Sequence, residues 1–277
     1  MYVVTSREQR RGIDHIVYAI EIAASENKAE SFSAPVEILP NDFKNWAGNA
    51  VVLSDGAIVV SFAEFESAVG ATPLFHPRIW AAKSWDGGRT FPMPILVTEQ
   101  THMESFPMMA VDTSSSTHKD RVYLVSSFPG TLRVWFSDEK GEKWHESAIP
   151  NSDEVGDSWK LRNPQVAVND TGVVAVAWRA HPKVDDSSCS RMELSVSRDG
   201  GQTFTSPVPI CPTSCASVPE NQLPQGFLER WIAGGEYFGL AAGRNGVFHL
   251  LWPDSRDGHW SLWTTTANVG GSQLDVR

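Results

Sequence analysis

Short runs of alternating apolar and polar residues recur along the whole chain, each bounded by Gly, Asn, Asp or Pro. A period of two is the mark of half-buried strands. It predicts strands at 2–6, 15–23 and 34–39, then at 49–53, 57–62, 77–83 and 93–97. A third group falls at 107–111, 121–126, 131–136 and 146–149, and a fourth at 164–168, 173–178, 191–196 and 208–210. The last strands are at 238–242, 247–252 and 260–267, with none expected in 271–277. Asp55-Gly56, Asn169 to Gly172 and Asn245-Gly246 sit between such runs and read as hairpin turns. Segments 64–76, 180–190 and 212–236 are rich in Pro, Ser, Asp and Gly and read as long loops. Residues 13–24 are the one stretch where a helix competes, and alternation favours strand. No linker divides the chain, so 1–277 reads as a single domain.

One octapeptide returns. It reads Ser-Trp-Asp-Gly-Gly-Arg-Thr-Phe from Ser84 and Ser-Arg-Asp-Gly-Gly-Gln-Thr-Phe from Ser197. A worn copy from Ser137 has Glu139 for Asp and Lys143 for Thr. A further copy from Ser25 keeps Ser25 and Phe32, with Asn27 for Asp. The steps between copies are 59, 53 and 60 residues, a fold-level repeat. The residue types explain a turn. Asp accepts from nearby backbone N–H groups, Gly takes up positive φ, Ser and Thr bond locally, and the closing aromatic pins the turn to a sheet.

This octapeptide resembles the Asp-box (BNR) repeat of the sialidase-like β-propellers. The resemblance implies an all-β fold of four-stranded antiparallel blades, with each box joining the third strand to the fourth. About five blade equivalents are visible, both end ones incomplete. That fits part of a six-bladed sialidase-like propeller truncated at the N-terminus. Strands are counted here from the inner first to the outer fourth.

The composition, 41% hydrophobic and 20% charged, is that of an ordinary globular domain. A net charge of −10 argues against nucleic acid or an anionic membrane as partner. No apolar run reaches membrane-spanning length, and the first residues lack a signal-peptide pattern. The resemblance suggests a full-length protein that is secreted or periplasmic. Cys189, Cys211 and Cys215 form neither a disulfide framework nor a zinc pattern, although a bridge from Cys189 to one of the other two is geometrically open. No cofactor or metal is expected.

Up-and-down topology puts the boxes and the Asp-Gly turns on one face and the long loops on the other. Function is expected on the loop face. The ends of second strands supply Arg7, Glu64, Glu66, Arg179, His181, Asp254 and Arg256 there. The starts of first strands supply Asn45, Trp46, Glu104, Arg162, Asn163, Glu236 and Tyr237, with Trp159 and Trp231 just before two of them. Arg grips carboxylates by a bidentate fork, carboxylates act as acid or base, and Trp offers a flat face to a sugar ring. Arg162, Arg179 and Arg256 are therefore candidates to bind an anionic group, with Glu64 and Trp231 as further substrate contacts. The family's sialidases use three Arg for the substrate carboxylate, a Tyr with a partner Glu as nucleophile and an Asp as acid/base. The loop face offers Tyr237, Glu236, Asp254 and Glu104 as candidate catalytic groups, with Glu104 or Asp254 as the carboxylate that Tyr237 would need to act as a nucleophile. Glu236 and Tyr237 are strand neighbours, so only one of them would face the pocket. The family's Phe/Tyr-Arg-Ile-Pro motif is absent, and Arg78-Ile79 falls in a third strand instead. The expected function is a carbohydrate-active propeller, an exo-glycosidase for an acidic sugar, with a non-catalytic propeller that binds glycan or protein as the alternative.

Overall fold

The computed structural model describes residues 1–10, 16–39, 44–65, 77–100, 103, 105–149, 159–182, 191–210, 238–254, 261–269 and 275–276. Among these residues there are strands and turns and no helix. Three strands come first: β1 (Tyr2–Arg10), β2 (Ile16–Ala24) and β3 (Val36–Glu37), with β2 antiparallel to both others. The expected strand at 15–23 is thus confirmed as β2. One parallel pair, Tyr18 with Lys44, joins this unit to the meander β4 (Lys44–Val52), β5 (Ile58–Phe65), β6 (Arg78–Ser84) and β7 (Ile95–Glu99). Three separate four-stranded antiparallel sheets follow. They are β8 (Met108–Val111) to β11 (His145–Ala148) through β9 (Val122–Phe128) and β10 (Thr131–Ser137); β12 (Trp159–Val168) to β15 (Val208–Pro209) through β13 (Val174–Pro182) and β14 (Arg191–Ser197); and β16 (Gly239–Ala242) to β19 (Asp275–Val276) through β17 (Val247–Asp254) and β18 (Ser261–Asn268).

β19 corrects the sequence reading. Asp275–Val276 pairs with Ala267 and Asn268, so the last sheet is complete rather than missing its fourth strand. Two residues are too short to show alternation. The other outer strands are also short. β3 and β15 have two residues each, and Pro209 sits on an outer strand, where its missing N–H is tolerated. No strand of the last sheet pairs with the first among the described residues.

The second strand of each meander explains the packing. Ile58, Val60 and Phe62 of β5 join Ile20 and Ile22 in one core, while Val59 faces Val122 and Leu124 in the next. β9 repeats the division: Val122 and Leu124 face backward, Tyr123 and Val125 forward. In β13, Val174, Val176 and Trp178 face backward, whereas Ala175 and Ala177 face Phe248, Leu250 and Trp252 of β17. A strand covered on both sides needs apolar residues at every position. This is why β5, β9 and β13 carry apolar residues on both faces over most of their length, where the sequence pattern predicts alternation. Each buried aliphatic side chain contributes roughly 1.5–3 kcal/mol. β17 is different: Phe248, Leu250 and Trp252 are buried, but Leu251 is 45% exposed and Leu262 beside it on β18 is 70% exposed. Among the described residues only one face of the last sheet is covered.

All four octapeptide copies are built as expected, in the turns β2–β3, β6–β7, β10–β11 and β14–β15. Asp86 accepts from Ser84 Oγ (2.8 Å), from the N–H groups of Arg89 and Thr90 (3.0 Å each) and from Thr90 Oγ1 (2.6 Å). Asp199 accepts the same set from Ser197, Gln202 and Thr203. The two central residues have positive φ in every copy: Gly87 and Gly88, Lys140 and Gly141, Gly200 and Gly201, Lys28 and Ala29. The first copy is better preserved than its sequence suggests. Ser25 Oγ donates to Asn27 Oδ1, the Ser31 N–H donates to the same oxygen, and Ser31 holds the Thr position. Only the last bond reverses, with Asn27 Nδ2 donating to Ser31 Oγ (2.8 Å).

Each later turn leans on the unit before it. A Cβ placed on Gly88 would lie 3.8 Å from Tyr2, one on Gly141 3.1 Å from Val59, and one on Gly201 2.9 Å from Tyr123. Polar ties run the same way. Lys140 Nζ bonds Asp55, Arg121 Nη1 donates to the Gly200 carbonyl, Ser54 bonds Asp120, and Asp170 accepts from the N–H groups of Asn245 and Gly246. The boxes and the first-to-second turns therefore share one face.

Candidate functional site

The ends of the second strands open on the opposite face, and strand parity decides which side chains meet there. Leu161, Trp178 and Ala180 pack backward against the β8–β11 sheet. Their neighbours Arg162 and Arg179 therefore point forward. They are directly opposite partners across β12 and β13. Trp252 of β17 points back into the core shared with β13, and Asp254 has the same parity. Arg162, Arg179 and Asp254 thus converge over the end of one core, between the third and fourth meanders.

The anchoring of these groups is specific. Arg179 is 1% exposed, and its Nη2 donates to the Pro253 carbonyl at 2.8 Å. Trp252 Nε1 donates to Asp254 Oδ2 at 3.1 Å, fixing the carboxylate next to that carbonyl. The β12–β13 register shifts between Arg162 and Gln165, and Asn163 takes a φ of 54° in the bulge. Bulges re-aim side chains and recur beside functional sites. The bulge is held from the preceding sheet: the Asn163 N–H donates to Ser105 Oγ (2.8 Å), which also accepts from Ser127 Oγ. Two cations directly opposite on adjacent strands repel, and burying one adds a desolvation cost.

Glu64 lies elsewhere. Asn45, Glu64, Arg78 and Glu99 form one row across β4 to β7. Arg78 donates from Nε to Glu99 (2.9 Å) and from Nη1 to the buried Glu64 (3.0 Å). The Glu99 bond first, and then the Glu64 bond, raises the Arg78 pKa above its ordinary value. Asn45 Nδ2 donates to the Tyr18 carbonyl, so this row faces the β1–β3 unit and not the arginine pair. Arg7 of β1 is likewise tied to Glu21. Glu104, Trp231, Glu236, Tyr237 and Arg256 lie outside the described residues, as do Glu66, Cys189, Cys211 and Cys215. No group of three or more His, Cys, Asp or Glu that could hold a metal ion occurs among the described residues.

The sequence did not reveal the roles of Asn163, Ser105 and Pro253. The left-handed φ of Asn163 has a faint signal, because Asn tolerates that region better than most residues. The parts played by Ser105 and the Pro253 carbonyl depend on contacts between sheets.

No family model matches the chain, and no curated protein matches it. Solved structures do. The intramolecular trans-sialidase from Ruminococcus gnavus, in complex with oseltamivir carboxylate, superposes with a TM-score of 0.60 at 11% identity, over 94% of this chain and 77% of that one. The NanB sialidase from Streptococcus pneumoniae gives 0.60 at 12% identity, over 99% of this chain and 58% of that one. A protein of unknown function from Dyadobacter fermentans gives 0.54 at 14%, over 97% and 87%. The chain has the fold of these sialidases. It spans little more than half the length of NanB.

Proposed function

We propose that the chain is a carbohydrate-active β-propeller whose meanders are blades around a central axis, and that its strand-end face acts on an acidic sugar as an exo-glycosidase. The observation that supports this best is the Arg162–Arg179 pair converging with Asp254 at the end of one core. A guanidinium pair suits a carboxylate, and a carboxyl group beside it suits acid/base work at a glycosidic oxygen.

In this reading Arg162, Arg179 and Arg256 bind the sugar carboxylate and Trp231 packs on the ring. Tyr237, its proton taken by one of Glu104 and Asp254, attacks the anomeric carbon. The glycosidic bond breaks as the other carboxyl group protonates the departing oxygen, and water then displaces Tyr237 to release the sugar. Glu236 adjoins Tyr237, and strand alternation lets only one of the two face the pocket. Glu64 acts indirectly, by holding Arg78. The same proposal places the full-length protein outside the cytoplasm, where such substrates occur. One observation favours the alternative of a propeller that binds glycan without turnover. The only stretch similar to the family's arginine motif supplies Arg78, and that guanidinium is taken up by Glu64 and Glu99.

A panel of aryl glycosides that includes a sialoside tests the proposal. Turnover lost in both Arg162→Ala and Asp254→Ala supports the enzyme. Retained binding of acidic glycans without turnover leaves the binding propeller. Neither binding nor turnover of any acidic sugar overturns both.

A further inference from the structure

The box face carries a second feature that the strand-end reading does not use. A cavity of about 710 Å3 lies between the first and second octapeptide turns. Pockets for small ligands run roughly 300–1,000 Å3. Tyr2, Ile22 and Phe32 give it an apolar lining, and Glu26, Asn27 and Arg89 give it a polar one.

The first turn departs from the repeat where it borders this cavity. The closing aromatic is the residue that buries a turn against its sheet. Phe204 is 6% exposed and Phe91 and Trp144 are half-buried, whereas Phe32 in the same position is 41% exposed. Lys28 and Ala29 keep the left-handed backbone that glycine serves in the intact copies. Asn27 stands where the two intact copies have a carboxylate, and its amide is bonded inside the turn to Ser25 and Ser31, so the turn keeps its shape without the charge. An amide keeps the acceptor and adds N–H donors without charge, and here one of them goes to Ser31 Oγ. A turn that keeps its shape while losing its best residues and exposing its aromatic is an expected mark of a functional site.

We propose that this cavity binds a neutral saccharide, as a second carbohydrate site on the face opposite the strand ends. One carboxylate, Glu26, and one guanidinium, Arg89, leave the lining without net charge, which favours neither anion nor cation. The Asn27 amide is taken up by Ser25 and Ser31 inside the turn, so Glu26 and Arg89 supply the acceptors and donors for vicinal hydroxyls. Phe32 and Tyr2 offer ring faces to the C–H face of a pyranose, the amphipathic contact that aromatic side chains make well. The ligand is a hexose or short oligosaccharide, held by stacking on Phe32 and bidentate bonding from Arg89.

Calorimetric titration of the whole chain with lactose, cellotriose, xylotriose and mannotriose tests this. At least one of these binds, and Phe32→Ala and Arg89→Ala each weaken it tenfold or more. Phe32→Trp retains binding, and Arg162→Ala, on the other face, leaves it unchanged. A thermal midpoint equal to wild type in Phe32→Ala shows that the variant is folded. No binding by any of the four at millimolar concentration overturns the proposal, as does binding that survives Phe32→Ala or disappears in Arg162→Ala. Loss of acidic-sugar turnover in Arg162→Ala bears only on the strand-end site, so the two readings fail separately.

Discussion

The fifth position of the octapeptide offers one chemical change at four places with four different surroundings. It is Gly88, Gly141, Gly201 and Ala29, all at positive φ. An L-residue in the left-handed region costs roughly 1–2 kcal/mol, and replacing glycine returns about 0.4–1 kcal/mol through the unfolded chain. Gly88→Ala, whose added Cβ would be 3.5 Å from the nearest atom, carries this conformational difference alone. It should destabilise by about 0.5–1 kcal/mol. Gly141→Ala adds a 3.1 Å approach to Val59, and Gly201→Ala a 2.9 Å approach to the buried ring of Tyr123. Overpacking of that kind costs about 1–3 kcal/mol, so Gly201→Ala should lose about 2–4 kcal/mol in total. Ala29→Gly runs the other way and should gain about 0.5–1 kcal/mol. Urea unfolding gives the four values. For a chain of 277 residues, 1 kcal/mol moves the thermal midpoint by only about 2 °C, so denaturant midpoints at constant slope are the better readout. A lower midpoint for Ala29→Gly, or equal losses at Gly88 and Gly201, would refute the account.

Three further outcomes follow from the same contacts. Gly48→Ala would push a Cβ to 2.2 Å from the Pro107 carbonyl oxygen and 2.4 Å from Ser61 Oγ, so it should abolish soluble expression or cost more than about 3 kcal/mol. Arg121→Met removes a buried guanidinium that bonds Asp138 and the Gly200 carbonyl and stacks 4.6 Å over Phe136; about 2 kcal/mol should be lost in urea unfolding, Asp138 being half exposed. Acid should weaken the boxes. The Thr90 hydroxyl and N–H and the Ser84 hydroxyl hold the Asp86 carboxyl far below its ordinary range, and at Asp199 burial opposes the shift but the Thr203 and Ser197 bonds outweigh it. A lowered folded-state pKa contributes stability that is complete above the ordinary carboxylate value near 3.8 and is lost as pH falls below it. Asp86→Asn with Asp199→Asn should therefore lower stability at neutral pH and flatten its decline between about pH 4 and pH 2, read from unfolding midpoints across that range; an unchanged acid slope would contradict the assignment.

The fold was largely legible because its signals are local. The turns from Ser84 and Ser197 keep every hydrogen-bonding residue, so the strands on either side could be placed from them. The turn from Ser25 is less visible because Asn27, Ala29 and Ser31 each change residue type while the backbone geometry survives. β19 escaped notice because Asp275–Val276 has no periodicity to detect. The site was legible only as a set of candidates. Arg78, Glu64 and Arg179 all end or begin apolar runs and look alike in sequence. Strand register separates them: Arg78 is 14 positions from Glu64 and 21 from Glu99, whereas Arg179 meets a carbonyl 74 positions away. Nothing local records that last distance.

The contacts of Gly88, Gly141 and Gly201 give the chain a direction in time as well as in space. Each turn closes against side chains that precede it in sequence: Tyr2, Val59 and Tyr123. As the chain is synthesised, every new turn meets a surface that is already made. Domains that emerge N-terminal first can fold in that order. Among the described residues, these turns do not wait for later sequence to dock. Ribosome-bound nascent chains should then gain protease resistance in steps of one meander, from the N-terminus onward.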